Sequence, residues 1–298
     1  MKKCLLIVNP CSGRQRITGE QRISTELLDI IKTLNENDYD VSVCVTLRHN
    51  HARELAATHS ADLIICTGGD GTLSQVISGL IDANKYTPIG YIPRGSTNDY
   101  ANTLGLSFDY KTALLNIING KQCFVDVGKF GGSEYFNYVA SFGIFTAASY
   151  NTPQEMKNVL GNAAYFFGGL ADLVNAKEYR IKVNANGKEI QDKYVLGLVM
   201  NTTSVGGMIK MKPDTVDLSD GLFEIVLVKN PQDLNDCSRI LEGFISSKFD
   251  DPIFTFIKSN EIEFTFDEPI SWSLDGEEKQ VNKSVKIQNL QKRTIFLK

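Results

Sequence analysis

The chain has 298 residues, enough for about two domains of roughly 150 residues, each able to bury a core without disulfides or metals. Its composition, 42% hydrophobic and 22% charged, excludes a disordered, collagen-like or coiled-coil chain. A formal net charge of −4 leaves no overall basic field to hold nucleic acid, so none is expected as a partner. No run approaches the ~18 apolar residues of a membrane span. Met1-Lys2-Lys3 is followed by a short apolar run that ends at Asn9-Pro10, too brief for a signal peptide. The six cysteines form no CxxC pair, and Cys4, Cys44 and Cys66 sit in strand-like apolar runs, as buried reduced thiols do. These features together predict a cytoplasmic protein.

The first ~120 residues alternate strand and helix patterns, the signature of an α/β layer around a parallel sheet. Residues 4–8 form a continuous apolar run, as a strand covered on both faces requires. A polar turn at 9–13 follows, then Ile23, Leu27, Ile30, Ile31 and Leu34 at helical spacing. Residues 41–45 read as the second strand, and 51–59 as the second helix with Asn50 as its cap. A third strand at 63–66 ends in Thr67-Gly68-Gly69-Asp70-Gly71, and a helix over 72–81 starts directly from it. A fourth strand at 89–92 ends in Pro93-Arg94-Gly95-Ser96-Thr97-Asn98-Asp99 and another helix. After Gly120 the texture becomes β-rich, with strand patterns at 123–127, 135–140, 179–183, 194–200, 223–228, 262–266, 270–274 and 284–287. Helical stretches at 154–175 and 234–247 interrupt them, and Asn186-Gly187 is a hairpin signal. The expected architecture is an α/β domain over 1–122 and a mostly antiparallel β-sandwich over 123–289.

Neither the P-loop nor the dinucleotide fingerprint is present. The strand–GGDG–helix junction at 68–71 offers instead two adjacent glycines for close backbone approach and a helix N-terminus with free N–H groups. A carboxylate in such a loop suits Mg²⁺ binding or the steering of an attacking hydroxyl. The plainer alternative is a strand–helix turn with Asp70 as a local cap. Asn9-Pro10-Cys11-Ser12-Gly13 and the loop at 93–99 add amides, hydroxyls and glycines at neighbouring strand ends, where open α/β sheets bind ligands.

Asn9-Pro10-x-Ser12-Gly13, Gly68-Gly69-Asp70-Gly71-Thr72 and Pro93-x-Gly95-x-x-Asn98-Asp99-x-Ala101 resemble, in order and spacing, three N-terminal motifs of the diacylglycerol kinase catalytic domain family. That family comprises bacterial diacylglycerol and related lipid kinases, with sphingosine and ceramide kinases as distant members. Thr46, His51-Ala52, Lys157-Asn158-x-Leu160-Gly161 and Leu274-Asp275-Gly276-Glu277 extend the resemblance over nearly the whole chain. The resemblance implies a first domain related to the NAD-kinase and phosphofructokinase folds, a β-sandwich domain, and a last strand within 290–298 returning to the first. ATP would lie in the interdomain cleft. Its implied contacts are Asn9, Pro10, Cys11, Ser12, Gly13, Thr46, Gly68, Gly69, Asp70, Gly71, Thr72, Leu73, Ser74, Gln75, Gly95, Ser96, Asn98 and Asp99. Ser96 departs from the family's usual Thr but keeps the hydroxyl.

The resemblance also makes Glu277 the proton acceptor, with Asp275 and Asp70 as positioning carboxylates for Mg²⁺–ATP. From residue chemistry alone, Leu-Asp-Gly-Glu is a surface hairpin turn. Asp214, Asp217 and Asp220 precede Gly221, oxygen donors suited to a hard cation or simply to a solvated acidic loop. Here the family implies a structural Mg²⁺ held by Asp217, Asp220 and the carbonyl of Leu222. His49, His51 and His59 lack partners at ligand spacing and are not read as a metal site. The apolar stretch 163–170, flanked by Lys157, Lys177 and Arg180, fits core packing better than an acyl cleft or membrane contact. The expectation is an ATP- and Mg²⁺-dependent lipid kinase acting on a hydroxyl of a diacylglycerol-like lipid, with transient peripheral contact at the inner membrane face. An NAD kinase-like enzyme and a non-catalytic nucleotide- or lipid-binding sensor are the alternatives. An exposed strand edge leaves a homodimer open.

Overall fold

The computed structural model describes residues 1–12, 20–144, 176–205, 209–210 and 216–298. The chain divides into two units, Met1–Val125 with Lys292–Lys298, and Asp126–Gln291. Gly13, Asp214, the helical stretch 154–175 with its apolar segment 163–170, and Lys157, Asn158, Leu160 and Gly161 lie outside the described residues. Among the described residues no helix is long and apolar enough to cross a membrane.

The first unit runs β1 (Lys2–Val8), α1 (Glu20–Glu36), β2 (Tyr39–Val45), α2 (His51–Thr58), β3 (Leu63–Gly68), α3 (Asp70–Asp82), β4 (Ile89–Pro93), α4 (Asp99–Leu104) and α5 (Tyr110–Asn119). The strands pair in parallel in the order β2-β1-β3-β4, with Leu6 opposite both Val43 and Ile65 and Cys66 opposite Tyr91. Alternation along β1 explains its continuous apolar run. Cys4, Leu6 and Val8 pack with Ile30 and Leu34 of α1 and Ala113, Leu114 and Ile117 of α5. Leu5 and Ile7, also buried, point to the opposite face. At the edge, β2 is covered less completely, so Cys44 is half-exposed rather than buried like Cys4 and Cys66.

Two local expectations change. Asn50 does not cap α2 through its side chain; it takes a left-handed φ of 62°, and the Leu47 N–H donates to His51 Nδ1 instead. Helix α3 begins at Asp70, ahead of the predicted 72, because Asp70 and Gly71 carry no apolar side chain for a periodicity to register.

The second unit contains β6 (Glu134–Phe136), β7 (Val139–Gly143), β8 (Tyr179–Ala185), β9 (Lys188–Met200), β10 (Ser204–Val205), β11 (Ile209–Lys210), β12 (Phe223–Lys229), α6 (Leu234–Ser246), β13 (Phe254–Ser259), β14 (Glu261–Phe266), β15 (Ile270–Leu274) and β16 (Glu277–Val281). Two strands cross the division, β5 (Gln122–Phe130) and β17 (Ser284–Leu297). The long β9 pairs β8 through its first half and β7 and β12 through its second, so it serves two groups of antiparallel strands. Between them lies a core of Phe142, Trp272, Phe264, Phe136 and Phe223. The alternate residues Val226 and Val228 of β12 pack with Cys237, Ile240 and Phe244 of α6, whose N-terminus is capped by Asp233. Asn186-Gly187 is the β8–β9 hairpin turn, with both residues at positive φ. Residues 135–140, expected as one strand, are two, separated at Asn137-Tyr138 for a reason that lies in the site.

Candidate active site

In the strand order β2-β1-β3-β4, the chain leaves β1 for α1 on one face and β3 for α3 on the other. The crevice at such a reversal is where open α/β sheets place ligands, and the Asn9 and Gly68–Gly71 loops flank it. Side-chain bonds lock the two together: Asn9 Nδ2 donates to Thr72 Oγ1 at 2.7 Å, while Asn9 Oδ1 accepts the Cys11 N–H at 2.9 Å. Ser12 Oγ closes the turn onto the Asn9 carbonyl at 2.8 Å, and Thr46 N bonds the Val8 carbonyl, placing Thr46 beside the same strand end. Pro10 and Ser12 line a shallow depression with Asn9, Thr67, Glu26 and Arg94.

The third loop is held against the second by close backbone approach. A side chain at Gly95 would meet Asn98 Oδ1 at 2.6 Å and Gly69 Cα at 2.9 Å, so glycine is required there. Asn98, at φ 50°, accepts the Gly95 N–H at 2.7 Å and donates to the Gly95 carbonyl at 2.8 Å. A side chain at Gly71 would meet nothing within 4 Å, so the fold alone does not demand glycine at that exposed position. No side chain caps α3, whose Thr72 and Leu73 N–H groups bond the Gly69 carbonyl. Its first turn is therefore a positive helix end beside an open glycine, suited to a phosphate. Ser96 is exposed and Ser74 and Gln75 are half-buried; Leu73 points into the core and could offer only its backbone.

Asp70 reaches across this arrangement. Its Oδ2 accepts the Asp99 N–H at 3.0 Å and its Oδ1 the Tyr100 N–H at 3.4 Å, so it caps the first turn of α4 rather than its own helix. Burial, reinforced by the neighbouring Asp99 carboxylate, pushes the Asp70 carboxyl up to about 6. Two like charges in a half-buried loop fit a cation binding nearby.

In the second unit, Leu274-Asp275-Gly276-Glu277 is the two-residue turn joining β15 to β16, with Asp275 at φ 49° and Gly276 at φ 94°. Asp and Gly in succession suit this tight hairpin geometry. The hairpin reading holds, and within it Asp275 has a second, structural task. Its Oδ2 accepts the Asn137 N–H at 2.6 Å and Asn137 Nδ2 at 3.1 Å, and its Oδ1 accepts the Tyr138 and Val139 N–H groups at 3.1 Å. Those N–H groups, turned to a carboxylate, are what divides β6 from β7. Burial still pushes the Asp275 carboxyl up to about 6 against these donors. Glu277 is exposed, and no residue described here holds its carboxylate. Asn137 carried no motif; its polar interruption of an apolar run was the available signal.

At the acidic loop, Asp217 Oδ1 accepts from Ser219 N and Oγ, and Asp220 Oδ1 accepts the Leu222 N–H at 2.9 Å. One oxygen of each exposed carboxylate has no partner in these bonds. Carboxylate and carbonyl oxygens are the donor type that Mg²⁺ takes. Among the described residues no group of three His, Cys, Asp or Glu stands ready to hold a metal. Sequence reading passed over Asp126, fully buried, whose Oδ2 accepts the Gly221 N–H at 2.7 Å and anchors this loop to β5.

Residues 3–130 match the diacylglycerol kinase catalytic domain, and residues 139–288 match the YegS C-terminal NAD kinase beta sandwich-like domain. The chain is 32% identical over 282 residues to the diacylglycerol kinase of Bacillus subtilis (strain 168), covering 93% of this chain and 90% of that protein. It is 32% identical over 231 residues to a diacylglycerol kinase of Staphylococcus aureus (strain bovine RF122 / ET3-1), covering 76% of this chain and 71% of the relative. Among solved structures, one from Bacillus anthracis str. Sterne matches with a TM-score of 0.81 at 27% identity, covering 99% of this chain and 96% of that one. A second, described as a diacylglycerol kinase of the same organism, matches at 0.77 with 25% identity and the same coverage. Matched in both halves and along nearly its whole length, the chain belongs to the diacylglycerol kinase family and is a lipid kinase.

Proposed function

We propose that the chain transfers the γ-phosphate of ATP, with Mg²⁺, to a hydroxyl of a diacylglycerol-like lipid. The observation that carries this reading is the pairing of an anchored and a free carboxylate on one hairpin: Asp275 is held by four donors, and Glu277 beyond the turn is exposed. Phosphoryl transfer needs positioning and charge stabilisation more than covalent help, together with a carboxylate to orient the alcohol. Glu277 receives the proton of the lipid hydroxyl, on a turn that Asp275 keeps from shifting. Asn9, Ser12, the α3 N-terminus and the Gly95–Asn98 loop bind the nucleotide, and Asp70 keeps two of these loops in register. Mg²⁺–ATP, when bound, supplies the phosphoryl group with its charge partly neutralised. Asp217, Asp220 and the Leu222 carbonyl would hold a structural Mg²⁺. Because the acceptor lies in a bilayer, the reaction takes place at a membrane surface, met transiently by a cytoplasmic enzyme.

The test is transfer of labelled γ-phosphate from ATP to detergent-dispersed diacylglycerol and other hydroxyl lipids, with NAD as a control acceptor. Labelled lipid in the wild type and its loss in Glu277→Gln support the reading. Label on NAD alone, or lipid labelling undiminished in Glu277→Gln, overturns it.

A further inference from the structure

Within Asn9–Gly13, Gly68–Thr72 and Pro93–Asp99 the formally charged side chains are Asp70, Arg94 and Asp99. These loops would meet a polyanion, yet two of the three charges are negative and Arg94 is the single cation. Its side chain lies in the depression lined by Asn9, Pro10, Ser12 and Thr67. Arg94 Nη2 stands 2.5 Å from Glu26 Oε2 of α1, with side-chain exposures of 21% and 15%. The guanidinium also lies over the Tyr110 ring at 5.5 Å, and the Arg94 N–H is bonded to the Gly68 carbonyl at 2.6 Å. A partly buried ion pair contributes little net stability, because desolvation offsets the attraction. A guanidinium carries five N–H donors in a rigid fork, and the bond to Glu26 leaves others for an anion.

We propose that Arg94 is a phosphate-binding residue of the nucleotide site, with Glu26 and Tyr110 setting the direction of its guanidinium. The inference rests on the ATP reading above. Arg94 donates to a phosphoryl oxygen of the bound polyphosphate, and Glu26 acts through it as a positioning residue.

The experiment measures ATP affinity and KM for ATP, KM for the lipid, and thermal melting of the ligand-free protein, for wild type, Arg94→Met, Arg94→Lys and Glu26→Gln. Loss of a charge-assisted bond predicts a weakening of ATP affinity by about 10- to 100-fold in Arg94→Met, with the lipid KM unchanged. Arg94→Lys, which keeps the charge and loses the fork, falls between the two. Glu26→Gln, which leaves the phosphate donor in place, weakens ATP binding by only a few-fold. If the pair is merely structural, Arg94→Met and Glu26→Gln lose ATP affinity equally and in step with their melting temperatures, and the inference fails. It also fails if Arg94→Met or Arg94→Lys binds ATP as wild type does. Absence of ATP binding in the wild type itself would overturn the ATP reading before any variant is compared, and this inference with it.

Discussion

Asp275 and Glu277 are the same chemistry two residues apart, and their surroundings give them opposite tasks. Asp275 is committed to the N–H groups of Asn137, Tyr138 and Val139, and Glu277 faces solvent. The proposed role of Glu277 predicts that Glu277→Gln lowers turnover by about 10²- to 10⁴-fold, as loss of a general base does. Melting temperature and ATP affinity are expected to stay at wild-type values, read by thermal shift and calorimetry. A fall in ATP affinity equal to the fall in turnover would remove Glu277 from the base role. Asp70 and Asp275 make a separate prediction, since both carboxyls are pushed from 3.8 up to about 6 by burial. Between about pH 4 and 6 the folded chain holds protons that the unfolded chain has released. The contribution of each group to stability therefore falls as pH rises through that window and levels off above it, by at most about 3 kcal/mol per group. Denaturation of wild type and Asp275→Asn across pH 4–7 checks the sign. A stability difference between the two that stays constant over this window would contradict it.

Among the elements, loops and hairpins were read from sequence more accurately than strands. Asn186-Gly187 and Asp275-Gly276 form the tight turns their residue types favour, because a positive φ at two successive positions is a local demand. Strand β16 escaped detection because four of its five residues are polar and only Val281 is buried. It exists because Leu274 and Glu277 pair across the turn. The touching glycines of the β3 and β4 loops carry the prediction at this scale. Gly95→Ala places a methyl 2.9 Å from Gly69 Cα, so the two loops must separate. ATP affinity is expected to drop at least tenfold with a small change in melting temperature, measured by titration of Mg²⁺–ATP. Unchanged affinity would mean that the spacing of these loops does not set the nucleotide site.

For the whole molecule, the last strand is the tie between sequence ends and site. Residues 284–287 and 294–297 have separate apolar patterns, yet β17 is one strand of 14 residues whose final part, from Lys292 on, belongs to the first unit. Phe296 is fully buried, pairs with Ile89, and packs its ring 5.7 Å from Tyr100. Tyr100 in turn gives its N–H to Asp70. Phe296→Ala should destabilise the protein by about 3–5 kcal/mol, the usual cost of emptying a buried aromatic site. It should also weaken ATP binding through α4; chemical denaturation and titration read the two effects. Destabilisation without any loss of ATP affinity would break the proposed link from β17 to Asp70.

The sequence by itself determined the parallel layer, the three polar loops at its strand ends and the tight turns. Each of these rests on apolar periodicity or on backbone freedom, properties that belong to a few neighbouring residues. Only the tertiary structure decided which carboxylates remain available. Asp70 and Asp275 find their donors 29 and 138 residues away, at Asp99 and Asn137, and Glu277 finds none among the described residues. The same holds for Arg94, whose partner Glu26 comes from α1, 68 residues earlier in the chain. A carboxylate's role is set by the N–H groups and charges packed around it, and folding brings these from segments that local pattern does not connect.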